Sequence, residues 1–143
     1  MEENINALNE INKGVCMGVD AINDIIPKVK NKQLVNLLEK QKKEYKVVGT
    51  MINKVYPKYN SECTAQKTSL MNKVMTWYGI EMRTMKDDSD SKLVELILQG
   101  TNMGIIEGRK ILNNKNIDKD VIKITNSFIS LQEKCLEDLK SYL

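Results

Sequence analysis

Two stretches of this chain, 13-KGVCMGVDAI-22 and 99-QGTNMGIIEG-108, each set two glycines four residues apart with methionine directly before the second. Both lie inside segments whose apolar residues recur every three or four positions, as on one face of a helix. A glycine inside a helix costs about 1 kcal/mol relative to alanine. Four such residues at matched positions therefore need a packing reason, or are left over from a duplication.

The first segment carries Ile5, Leu8, Ile11, Val15, Val19, Ile22 and Ile26 at helical spacing, which predicts a helix over 3–29 with Pro27 weakening its last turn. After Asn31 and Lys32, a second helix over 33–56 places Leu34, Leu38, Gln41, Tyr45, Val48, Ile52 and Val55 inward. The stretch 56-YPKYNSECT-64 is a loop. A third helix is expected over 65–86, ending at the acidic turn 87-DDSD-90, where Ser89 or Asp90 can cap the next helix. That helix, over 91–113, would turn Leu93, Leu96, Ile97, Gly100, Met103, Gly104, Glu107 and Ile111 inward. A last helix over 119–142 would bury Val121, Ile124, Phe128, Leu131, Cys135 and Leu139. No segment alternates with period two for long, so the fold class is all-α, and 143 residues suit a single domain, 1–143.

The short links at each end make two antiparallel hairpins. The 65–86 helix, at ~1.5 Å per residue roughly 30 Å long, can carry the chain back along the bundle. The second and fourth helices then run parallel, in the up-down four-helix bundle of ferritin-like proteins, with the long crossover formed by an additional helix. The first and fourth helices become antiparallel neighbours. In that register Gly14 faces Gly104 and Gly18 faces Gly100, since facing positions on antiparallel helices share one sum of residue numbers. Removing these side chains would let the two helices touch closely, or make room for bulk from the second and fifth. Met17 and Met103 are natural gap-fillers beside such a contact.

Such a bundle raises the question of a dimetal carboxylate centre, which uses a Glu from each of two helices and Glu-x-x-His from each of the other two. The chain has no histidine, which also removes imidazole-based triads and general bases. Glu107 alone falls in the expected inner register. Asp20, Glu44 and Glu133 fall on the flanks, and an all-carboxylate site from Asp20, Glu44, Glu107 and Glu133 requires a small change of helix phase. There is no glycine-rich phosphate loop. Cys16 and Cys135 lie on or beside core stripes, where a thiol acts as a small hydrophobe. Met71, Met75, Met82 and Met85 form a stripe with Tyr78, near Trp77, that suits adaptable packing or a subunit interface better than a soft-metal site. No catalytic residue, metal ligand or cofactor is assigned.

A net charge of +3, with basic residues spread among acidic ones, gives no footprint for nucleic acid. The acidic start MEENINALNE is unlike a secretory signal, and no apolar run approaches the ~20 residues of a membrane span. Three scattered cysteines without a C-x-x-C pair fit a cytoplasmic chain with reduced thiols.

The stretch 76-TWYGIEMRTMKDDSDSKLVELILQGTNMGIIEGRKIL-112 resembles the second half of a bacterial ferritin-like, rubrerythrin-like family known mainly as a domain of unknown function. The likeness rests on Trp77, the turn at 87–90, Leu93 with Leu96, Gly100 and the helix closing at Leu112. The opening hairpin, with Gly14 and Gly18 ahead of 27-PKVKNKQLVNLLEKQ-41, is similar too. The resemblance implies a ferritin-like bundle that forms homo-oligomers, with no established reaction. The chain departs from Glu-x-x-His: Val47 stands three residues after Glu44, and Leu136 three after Glu133. The expectation is a non-enzymatic, self-associating bundle with a structural or stress-related interaction role. The alternatives are a metal-binding or redox protein with a carboxylate-only site, and a small-molecule pocket lined by Met103, Tyr45, Gln41 and the space the glycines clear.

Overall fold

Helix ends in this chain are set by proline and by short polar side chains. In the computed structural model, which describes residues 2–60, 81, 84–114 and 116–143, the first helix, α1, runs Glu2–Ile25. It tightens into a single 3₁₀ turn, Ile26–Lys28, carrying Pro27. The α-helix thus stops four residues short of the expected 29, because proline has no N–H to continue the ladder. The second, α2 (Lys32–Val55), starts at Asn31, whose Oδ1 accepts from the backbone N–H of Gln33 at 2.8 Å and of Leu34 at 3.3 Å. It closes in a 3₁₀ turn, Tyr56–Lys58, built around Pro57. Ser89 caps α3 (Asp90–Leu112), its Oγ accepting from Lys92 N–H at 3.3 Å. α4 runs Lys119–Leu139 and ends in a 3₁₀ turn, Lys140–Tyr142. No strand occurs among the described residues. Most of the expected 65–86 crossover helix, with Met71, Met75, Trp77, Tyr78 and Met82, lies outside them; Met85 packs partly buried against the core.

Hydrogen bonds at the two ends fix the topology. Asp90, at the start of α3, accepts from the backbone N–H of Lys30 at 2.8 Å and of Asn31 at 2.9 Å, tying α3 to the α1–α2 link. At the opposite end, Asn4 Oδ1 accepts from Asp118 N–H at 2.8 Å, and Tyr59 Oη donates to Asp118 at 3.0 Å. Lys58 pairs with Asp120 at 2.9 Å. α2 and α3 therefore run in the same direction, and α1 lies antiparallel to α3. The most extensive packing joins α3 to α4 and α1 to α2, while α1 against α3 and α2 against α4 are sparser.

The core is drawn from the expected stripes. Leu8, Ile11, Val15 and Ile22 of α1 meet Leu34, Leu38, Tyr45, Val48 and Ile52 of α2. Leu93 and Ile97 of α3 and the whole α4 set from Val121 to Leu139 complete it, while Ile5, Val19, Ile26, Val55 and Ile111 pack around the edge. Each fully buried aliphatic or aromatic side chain contributes about 1.5–3 kcal/mol.

One helix departs from expectation. In the second half of α3, Thr101 and Gly108 are buried, whereas Met103 is 44% exposed and the Glu107 side chain 53% exposed. The cause is asymmetric packing: α3 follows α4 closely and α1 only loosely. Gly108 lies beneath Ile129 of α4. Thr101 satisfies its hydroxyl by donating to the Ile97 carbonyl at 2.9 Å.

Candidate functional site

Between α1 and α3, a cavity of about 280 Å³ opens at the waist of the bundle. All four glycines of the paired motifs line it: Gly14 and Gly18 from α1, Gly100 and Gly104 from α3. Met17 and Met103 stand beside them, and Glu10, Lys13 and Glu107 also border it. Its inner wall is built by Gln41 and Tyr45 of α2 and by Phe128 and Gln132 of α4.

Three of these glycines, Gly14, Gly18 and Gly104, are explained by what sits over them. A Cβ on Gly14 would lie 2.6 Å from Cζ of Phe128, and one on Gly18 would lie 2.7 Å from Cζ of Tyr45. On Gly104 it would collide with the Gln132 amide. The small residues thus admit rings and an amide from α2 and α4, the second of the two packing roles expected from sequence. The first, close backbone contact between α1 and α3 at this waist, is not found: the cavity lies between them.

The polar groups of the inner wall are unequally satisfied. Tyr45 Oη donates to Gln132 Oε1. Gln41 is 3% exposed, and its Nε2 has no acceptor among the described residues. Nearby, burial pushes the Cys135 thiol up to about 12, helped by the charges of Glu44 and Asp138 and opposed by Lys134 and a hydrogen bond with Tyr45. At neutral pH it is a protonated thiol, neither nucleophile nor thiolate ligand.

The carboxylates weighed for a metal centre do not meet. Glu44 pairs with Lys134 at 3.4 Å, Glu107 with Lys110 at 3.4 Å and Glu133 with Arg109 at 3.0 Å. Asp20 is half-buried on α1. Among the described residues no three histidine, cysteine, aspartate or glutamate side chains gather closely enough to hold a metal ion. The donor set of a dimetal centre is therefore not assembled from these residues. Glu107, expected inward, borders the cavity with its side chain in solvent, because the second half of α3 turns toward α4.

Sequence periodicity had placed Gln41 and Tyr45 on the inner stripe, but Gln132 was missed. Its signal was there: it stands four residues after Phe128 and three before Cys135, on the α4 stripe itself. Lys13, 8% exposed and paired with Glu10, was also unforeseen. Its long aliphatic stem can cover apolar surface while the ammonium meets a carboxylate.

No protein-family model matches the chain, and no curated protein matches it. Among the described residues, no helix is long and apolar enough to cross a membrane. A solved structure of a dodecameric thioferritin, the bacterioferritin-related protein from Bacteroides fragilis, is similar in fold, with a TM-score of 0.75 and 13% sequence identity over 99% of this chain and 84% of that one. The four described helices, their parallel α2 and α3, and this likeness show that the chain folds as a ferritin-like bundle.

Proposed function

We propose that this protein is a non-enzymatic, self-associating ferritin-like bundle of the bacterial cytoplasm, with a structural or stress-related interaction role. One observation carries it: the waist of the bundle is lined by glycines, aromatic rings and glutamine amides, while Glu44, Glu107 and Glu133 are each engaged elsewhere in separate ion pairs. Self-association draws support from Met103 and Ile106, 44% and 46% exposed close together on α3, and from Val47, 60% exposed on α2. The similar Bacteroides fragilis protein is a dodecamer. Membership of the rubrerythrin-like family of unknown function fits the same fold.

Size-exclusion chromatography with light scattering, together with metal analysis of untagged protein, tests both halves. The expected result is a defined multimer carrying no stoichiometric metal. A monodisperse monomer across the micromolar range would remove self-association. Stoichiometric iron or manganese would replace this function with the carboxylate-only metal protein.

A further inference from the structure

We infer that the waist cavity is a binding site for a compact, neutral, apolar molecule the size of one substituted aromatic ring. This goes beyond the function proposed above and does not depend on the oligomeric state.

Size sets the scale. A cavity of about 150 Å³ walled by Leu, Ile and Phe is enough to hold benzene. At about 280 Å³ the waist cavity has room for a benzene ring with small substituents. It is partly open to solvent, so filling it does not require the bundle to unfold. The space also cannot close by a small shift of its inner wall. Phe128 and Tyr45 are already seated against α1, where a Cβ on Gly14 or Gly18 would lie 2.6 or 2.7 Å from their rings.

Wall chemistry sets the class. Met17, Ala21, Ile22, Ile97 and Phe128 line the cavity together with bare glycine backbone, and present mostly carbon to it. An apolar body gains by leaving water for such walls. Methionine adapts to the shape beside it, and its sulfur makes favourable contacts with ring edges. Met17 and Met103 both line the cavity, which suits an aromatic ring.

The polar groups of the wall ask little of a ligand. Thr101 donates to the Ile97 carbonyl at 2.9 Å, and the Tyr45 hydroxyl donates to Gln132 Oε1. Gln41 Nε2, without an acceptor among the described residues, has no surface open to the cavity. Lys13 is paired with Glu10, and Glu107 with Lys110 at 3.4 Å, so these charges bordering the cavity are already matched. An ionic ligand would lose its hydration there without gaining a counter-ion.

The probes are p-xylene and two charged counterparts, p-toluate and p-methylbenzylammonium, which keep the methyl-bearing ring and add one charge. Each is titrated into the full chain carrying ¹³C-methyl methionine and followed by NMR. The expected result is one p-xylene per chain, saturating below its solubility limit, with both ions bound about tenfold more weakly or not at all. Nuclear Overhauser contacts from p-xylene should reach the methyls of Met17 and Met103 and spare Met51, which is not part of the cavity wall. Ala21→Phe and Ile97→Phe each add bulk to the wall, and each should abolish binding in protein that urea melts show to be folded. The Overhauser contacts place the site in the parent chain even if both variants fail to fold. No saturable p-xylene binding, contacts at Met51 in place of Met17 and Met103, ions bound as tightly as p-xylene, or undiminished binding in a folded variant would each overturn the assignment. A monomer that binds p-xylene at this site would refute self-association and leave the site standing.

Discussion

The ring of Phe128 occupies the place a side chain on Gly14 would take: a Cβ there would lie 2.6 Å from Cζ and 3.1 Å from Cε1. Phe128 is 2% exposed and cannot simply swing into solvent. Gly14→Ala gains about 1 kcal/mol of helix propensity. It also forces the ring to move in a packed interior, at about 1–3 kcal/mol. We expect net destabilisation in urea melts, larger for Gly14→Leu, with partial recovery in Gly14→Ala/Phe128→Leu. That coupling between the two sites is the diagnostic. An unchanged midpoint for Gly14→Leu would mean that Phe128 does not sit over this helix.

The four described helices and their pairing were legible because the apolar stripes contrast sharply with charged faces. Leu34, Leu38, Tyr45, Val48 and Ile52 are buried as the period of α2 requires, and so are all six residues expected from α4. That Gly14, Gly18, Gly100 and Gly104 belong to one place in the bundle was legible as well, since all four line one cavity. What fills the space above them was not. Glycine announces that room is needed without saying who uses it, and the occupants Phe128, Tyr45 and Gln132 come from two other helices. The turning of α3 was hidden for a related reason. Between Ile97 and Ile111 the stripe contains mostly glycine, Thr101, Met103 and Glu107, which gives little contrast to fix its phase. Contact with α4 then decides it.

Asp90 links elements that are sixty residues apart in sequence, accepting from Lys30 N–H with one oxygen and Asn31 N–H with the other. It also sits in the first turn of α3, where a negative charge is favoured by the helix dipole. Asp90→Ala removes both acceptors from an exposed site, so the expected loss is about 1–2 kcal/mol in urea midpoints. Asp90→Asn keeps one carbonyl acceptor and should lose less. If both variants match the parent, the α1–α2 link is held by its own Asn31 cap alone.

Stability should fall in alkali, and Cys135 sets where the fall begins. Its thiol rises from an ordinary 9.0 to about 12, chiefly through burial. Between those values the unfolded chain releases the proton while the folded chain keeps it. The thiol's contribution is therefore complete below pH 9 and is lost as pH climbs toward 12. Tyr59 adds a second loss from 10.0 to about 12, through burial and its hydrogen bond to Asp118. Urea midpoints measured from pH 8 upward should decline from about pH 9. In Cys135→Ala the decline should start only near pH 10, where Tyr59 takes over. In a chain with Cys16 and Cys63 replaced by serine, iodoacetamide should modify Cys135 only as fast as the protein unfolds. Rapid modification of the native protein would show that the thiol is not enclosed.

Gln41 and Gln132 line the same cavity yet should respond in opposite directions to the same substitution. Gln41 Nε2 is buried without an acceptor among the described residues, so Gln41→Leu removes an unsatisfied donor and keeps similar bulk. We expect a gain of about 1–2 kcal/mol in the ligand-free protein. Gln132 accepts from the Tyr45 hydroxyl, and Gln132→Leu takes that acceptor away from a residue only 3% exposed. A loss of about 1–3 kcal/mol should follow. Denaturation of the two variants side by side checks the sign of each change. If Gln41→Leu is as harmful as Gln132→Leu, its amide is already satisfied in the native protein.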